Sequence, residues 1–204
     1  MDTKRMHTLL LEALEHERSG VLIHQAALTC AKNGALRAEW TKHLQPTEEH
    51  ATTLTEVCEE LHLDAEQGAP VRAIVRKLGE ALVDAMETAL ANASPTDAEL
   101  VACECVVVAD TKDHLNWELM SILAAAGDAP ESLEQACEDI AREEDEHLYH
   151  TKGWCRELWL QALGQPAVLP PPEERHDVKT TIGAARADRQ RDTLLQASGT
   201  QAES

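Results

Sequence analysis

The feature that most constrains this chain is an apolar helical stripe that changes character halfway along. From Leu133, alternating steps of four and three residues reach Cys137, Ile140, Glu144, His147, Thr151, Trp154 and Leu158. Such spacing keeps residues on one face of a helix with 3.6 residues per turn. Glu144 and His147 therefore point where the rest of the stripe points, into a core. A carboxylate removed from water has to be protonated, paired or bound to a cation. Glu-x-x-His at i, i+3 also lets one helix offer an oxygen and a nitrogen to the same ion. Glu and His three apart also occur by chance on solvated faces, so the rest of the chain decides.

The same interruption recurs elsewhere. A first helix is predicted near residues 3 to 32, with the stripe Leu10, Leu14, Glu17, Val21, His24, Leu28 and a left-handed stop at Asn33-Gly34. A second, near 35 to 62, carries Leu36, Trp40, His43, Thr47, His50, Leu54, Val57 and Leu61. Pro46 falls inside it and removes the bond to the carbonyl of Lys42, so the expectation is a kinked continuous helix, the alternative being a new helix that begins at Pro46. A third helix, near 71 to 92, reads as packing material in a long crossover, with no core-facing ionisable group of note. Ser94-Pro95-Thr96-Asp97 opens a fourth, near 95 to 126, with apolar residues at Val101, Cys105, Val108, Leu115, Leu119 and Ile122. Asp128 and Glu131 are spaced as a capping box for the fifth helix, near 131 to 163. The chain thus divides into an all-α domain, residues 1–164, and a Pro-rich linker with a disordered tail, residues 165–204. A transient helix is expected near Ile182 to Leu195.

Charge and cysteine usage narrow the functions. The net charge is -19, and within residues 1–164 there are 13 basic residues against 31 acidic ones, so the acidity belongs to the folded part. That repels nucleic acid and anionic membranes and attracts cations. The core must be filled by Leu, Val, Ile and Ala, because the chain has no Phe, one Tyr and four Trp. Six cysteines without Cys-x-x-Cys spacing read as reduced core fillers of a cytoplasmic protein. No apolar run approaches membrane-spanning length, and Met1 to His7 lacks a signal-peptide core.

Antiparallel pairing brings the polar core positions together. Counting outward from Asn33-Gly34, Glu17 comes opposite His50, and His24 opposite His43. Counting outward from Ala129, Glu144 comes opposite His114. Two hairpins thus each set a Glu against a His at mid-height. A core holding Glu17, His50, His114, Glu144 and His147 is better served by a divalent cation than by hydrogen bonds alone. The bland alternative is a buried hydrogen-bond network that fixes the register of a bundle. Glu118 sits better on the apolar face than His114 but about one turn away, so either could supply the fourth helix's ligand. His24 and His43 read as core histidines rather than ligands, and Tyr149 as a surface residue.

Four long helices with an interrupting crossover, Glu17, His50 and Glu144-x-x-His147 resemble the ferritin-like di-metal carboxylate superfamily. His43-Leu-Gln-Pro-Thr-Glu-Glu-His50, followed by Leu54 and Leu61, is similar to a small bacterial, rubrerythrin-related stress-protein family of unassigned activity. The resemblance covers about Met6 to Leu163. It implies an antiparallel four-helix bundle with an additional helix in the crossover, holding one or two iron or manganese ions and acting on oxygen or peroxide as an oxidoreductase in a stress response. Implied ligands are Glu17, His50, Glu144, His147 and either His114 or Glu118. Thr47 stands where the superfamily has a Glu, which leaves a carboxylate-poor site. The alternatives are a non-catalytic helical scaffold with a degenerate site, or an iron-storage protein. Expected partners are metal ions and a small oxidant, not nucleic acid or membrane, with a homodimer left open.

Overall fold

A computed structural model of the chain describes residues 2–66, 69–127, 129–173 and 180–201. It contains α1 (Thr3–Cys30), α2 (Gly34–Glu60), α3 (Pro70–Asn92), α4 (Pro95–Ala125), α5 (Glu131–Ala162) and α6 (Thr180–Gln201). No strand occurs among the described residues, so the fold is all-α.

Local chemistry sets most helix ends. Asp2 caps α1 by accepting from the Arg5 amide at 3.2 Å, and Ser94 caps α4 through the Asp97 amide at 3.2 Å. The α1–α2 turn differs from the expected left-handed stop. Asn33 is extended, with φ -71° and ψ 122°, and its Oδ1 accepts from the Ala35 and Leu36 amides instead. Glu99 on α4 steadies the same turn by accepting the Lys32 amide at 2.7 Å. At the α4–α5 turn Gly127 adopts φ 77°, a conformation that favours glycine. Asp128, and with it the expected capping box, lies outside the described residues; Pro130 precedes α5 without a side-chain cap.

Helix α2 runs unbroken through Pro46. The missing amide costs about 3 kcal/mol, but buried residues on both sides, Trp40 and His43 before it and His50 and Leu54 after it, hold both halves to the same core. Packing links α1 to α2, α2 to α5, α5 to α4, and α4 back to α1, while α3 packs on α1 and α4. One apolar cluster gathers Leu10, Leu14, Leu54, Trp117, Met120 and Leu133; another gathers Ile23, Leu36, Trp40, Met86, Val106 and Trp154. Fully buried Trp40 and Trp117 fill space that phenylalanine commonly fills, each worth at least about 1.5–3 kcal/mol in burial.

Three readings need correction. First, α4 is turned relative to the expected face: Val108, Leu115, Leu119 and Ile122 are exposed, and Val106, Asp110, Asp113, Asn116, Trp117 and Met120 are buried. Second, α3 does carry a core-facing ion. Arg72 is buried and donates through Nε to Glu15 Oε2 at 2.8 Å, with Arg76 Nε on Glu15 Oε1 at 2.6 Å. Burial raises the pKa of Glu15, but these two guanidinium groups outweigh it and hold the carboxyl below its usual range. Third, where the sequence predicts a disordered tail, residues 165–173 fold back and α6 follows. Glu157, wholly buried on α5, accepts from Arg191 at 2.6 Å and from the Val168 amide at 2.9 Å. A Cβ at Gly153 would stand 3.2 Å from Pro171, so a small residue admits the strap.

Candidate metal centre

Where the apolar clusters give way to polar residues, α1, α2, α4 and α5 each supply ionisable side chains. Glu17 is 0% exposed, His50 2%, Glu144 2% and His147 6%. Their atoms form one connected cluster: His147 Nδ1 lies 3.1 Å from Glu144 Oε1, His50 Nδ1 3.2 Å from the same oxygen, and His50 Nδ1 3.7 Å from Glu17 Oε1. Four of the six predicted ligands are therefore together. Counting outward from the first turn gave the right heights, because α1 and α2 form an antiparallel hairpin.

The fourth helix contributes differently. Glu118 is exposed, and His114 turns outward to donate from Nε2 to Asp145 Oδ1 at 2.6 Å, with the Tyr149 ring beside it at 6.3 Å. That bond raises the His114 pKa, so the residue is a half-buried ion-pair partner and not a member of the cluster. Its place is taken by the preceding residue, Asp113, whose buried carboxyl feels the charges of Glu17 and Glu144, with Asp110 one turn away near His147. The height was right and the face wrong: one residue along a helix rotates a side chain by about 100°.

Thr47, at the position where a Glu was sought, closes the wall. Its hydroxyl donates to the His43 carbonyl at 3.0 Å and its methyl sits where a Cβ on Gly20 would approach to 3.2 Å. Trp117 forms the opposite wall and donates Nε1–H to Glu17 Oε1 at 2.6 Å.

The electrostatics divide the acids into two kinds. Burial pushes Glu17 up to about 8, the charge of Glu144 adding to the effect of burial and His50 opposing it. Burial likewise raises Asp110, and raises Asp113 well above the usual carboxylate range, with Glu17 and Glu144 adding to the latter. For Glu144 burial acts in the same direction, but His147 and His50 beside it outweigh burial and hold it below the ordinary range. Burial opposes the charge of His50, yet Glu144, Glu17 and Glu143 lift it to about 9; Glu143 accepts from its Nε2 at 3.0 Å. His147 is raised too, by Glu144 against burial. At neutral pH the metal-free centre thus sets an ionised Glu144 beside a charged His50, with Glu17 held largely neutral by burial. Several of its atoms have no hydrogen-bond partner: Glu17 Oε2, Asp110 Oδ2 and Asp113 Oδ1. An unmet buried polar atom costs about 1–3 kcal/mol.

Carboxylate oxygens from α1, α4 and α5 and imidazoles from α2 and α5 are a donor set that fits iron or manganese. The site is richer in carboxylate than the sequence reading allowed, because Asp113 offsets the Glu missing at Thr47. The signal that could have revealed it was Asp110-x-x-Asp113, at the same height as Glu144. A surface cavity of about 400 Å³, lined by His50, Thr53, Val57, Ile140 and Glu143, lies on the outer side of His50.

No protein-family model, curated protein or solved structure matches this chain. No described helix is long and apolar enough to cross a membrane.

Proposed function

We propose that this chain is a ferritin-like four-helix protein whose centre binds iron or manganese and that it handles oxygen or peroxide in a stress response. The observation that carries this reading is the group of buried, unpartnered carboxylate oxygens on Glu17, Asp113 and Asp110. A register-fixing network has no use for such atoms, whereas a cation satisfies them together. The ring of packing from α1 through α2, α5 and α4 supports the bundle architecture, with α3 as the additional crossover helix.

Glu17, Asp113, Glu144, His50 and His147 are the residues that would hold the ion. A redox-active ion in that place supplies electron exchange with oxygen or peroxide. The chain's own groups have two tasks. Glu17, held largely neutral by burial, would give up its proton to ligate the ion, which would make binding proton-coupled. Trp117, Thr47 and Gly20 exclude bulk water, leaving the cavity beside His50 as the route for a small oxidant.

A second reading, a non-catalytic scaffold, draws on the fact that Glu144 already contacts His50 and His147 without metal. Chelator-stripped protein, reloaded with Fe(II) without oxygen and then mixed with oxygen or peroxide, separates the two. Oxidation faster than that of free Fe(II), lost in Glu144→Leu, supports the oxidant-handling reading. Equal rates with and without the protein reject it in favour of the scaffold.

A further inference from the structure

Beyond the centre, α2 and α5 bring a second donor group together. Glu39 and His43 are i, i+4 on α2, and His150 lies one turn beyond His147 on α5. One carboxylate oxygen and two ring nitrogens from these residues all lie within 4.8 Å of one another. Glu39 Oε1 accepts from His43 Nε2 at 3.1 Å and from His150 Nδ1 at 2.8 Å. The cluster sits between core and solvent, because the His43 and His150 side chains are 1% and 5% exposed and that of Glu39 is 21% exposed.

We propose that Glu39, His43 and His150 form a second divalent transition-metal site, sharing no donor with the centre. Ligand bonds of 2.0–2.1 Å in a tetrahedral site set donor atoms about 3.3 Å apart. The two hydrogen-bonded edges are therefore within about half an ångström of chelating geometry, and an ion takes the place of two N–H protons. Two imidazole nitrogens with one carboxylate select zinc, iron(II) or cobalt(II) over magnesium or calcium, whose sites are built from oxygen. Three protein donors leave a coordination position for water or a small ligand.

The surroundings add independent support. Ligating imidazoles commonly present their other nitrogen to a carboxylate, which fixes the ring; Glu173 Oε2, on the folded-back strap, lies 3.6 Å from His150 Nε2. His24 stands edge-on to His43 at 6.4 Å. It donates Nδ1–H to the Gly20 carbonyl at 3.1 Å, and its buried Nε2 has no partner, so an unused nitrogen donor lies beside the triad. The His43 ring in turn lies 4.1 Å from that of His147, so the second site abuts the first.

Cobalt(II) titration of the chelator-stripped full chain tests this site separately from the centre, with visible absorption and bound stoichiometry as readouts and circular dichroism to confirm folding. The expected result is that Glu144→Leu, or Glu17→Gln if that variant does not fold, retains one equivalent of cobalt whose absorption disappears when His150→Ala or Glu39→Gln is added. Wild-type stoichiometry and spectrum in both His150→Ala and Glu39→Gln overturn the proposal. So does a folded centre variant that binds no cobalt. If the second site is real and the central reading fails, wild type binds one equivalent and loses it on His150→Ala; in the reverse case it loses that equivalent on Glu144→Leu.

Discussion

Glu17 and Glu144 share a layer and a residue type, yet replacing each with Gln should cost very different amounts of stability in the metal-free protein. Burial holds Glu17 neutral at pH 7, with its pKa at about 8. Glu17→Gln therefore removes no charge, and the Gln carbonyl still accepts the Trp117 indole proton, so the cost should be under about 1 kcal/mol, the net worth of a typical hydrogen bond. Glu144 is the ionised acid, with two imidazole nitrogens 3.1 and 3.2 Å from one oxygen. At an effective dielectric of about 20, a pair at 3.2 Å is worth about 5 kcal/mol. Removing one partner of a buried pair typically costs about 3–5 kcal/mol. Glu144→Gln preserves shape, so the loss reports charge and not a cavity. Urea melts of both variants after chelator treatment at pH 7 measure the difference. Equal costs, or a larger cost for Glu17→Gln, refute the assignment of Glu144 as the ionised and Glu17 as the neutral member of the pair.

Three further outcomes follow from other parts of the fold. His16 donates from Nε2 to the Ala109 carbonyl at 3.0 Å, and burial lowers its pKa to about 4. Between pH 6.5 and 4 the unfolded chain holds a proton that the native chain excludes, so stability falls on acidification with a limiting slope of about 1.4 kcal/mol per pH unit. His16→Gln should flatten the pH dependence of the urea midpoint in that window, and an unchanged slope contradicts the burial. A Cβ at Gly79 would stand 2.6 Å from Ser19 Cβ. Gly79→Ala should therefore cost about 1–3 kcal/mol by forcing α3 from α1, with Ser19→Gly recovering part of the loss in a double-mutant cycle; additive effects contradict the close approach. Truncation after Gly164 removes Arg191 and Val168 from buried Glu157 and should cost about 1–3 kcal/mol. An unchanged melt would show the strap to be dispensable.

The helices and the heights of their polar residues were legible because α2 and α5 carry one dominant stripe each. Every position read from Leu133 to Leu158 on α5 is buried. Helix α4 defeats the same reading, because Leu115, Leu119 and Ile122 face outward while Asp110, Asp113 and Asn116 face inward beside Trp117 and Met120. Asp113 was missed for that reason, and His114 was chosen one position away. Arg72 was missed because a buried arginine is recognisable only from its partner, and Glu15 adjoins the stripe of α1 without belonging to it. His150 and Glu39 carried a visible signal, spacings of three from His147 and four from His43, but one that acquires meaning only when α2 and α5 are placed side by side. The tail's anchoring at Glu157 is a tertiary contact that composition does not reveal.

The central claim is that the buried layer exists to hold a metal. Elemental analysis of the full chain, purified without added metal or nickel affinity, tests it most directly, alongside Glu144→Leu prepared in the same way. The account predicts iron or manganese near stoichiometry in the wild type, depleted in the variant. Metal-free wild-type protein whose melt is moved by neither iron(II) nor manganese(II) would contradict it.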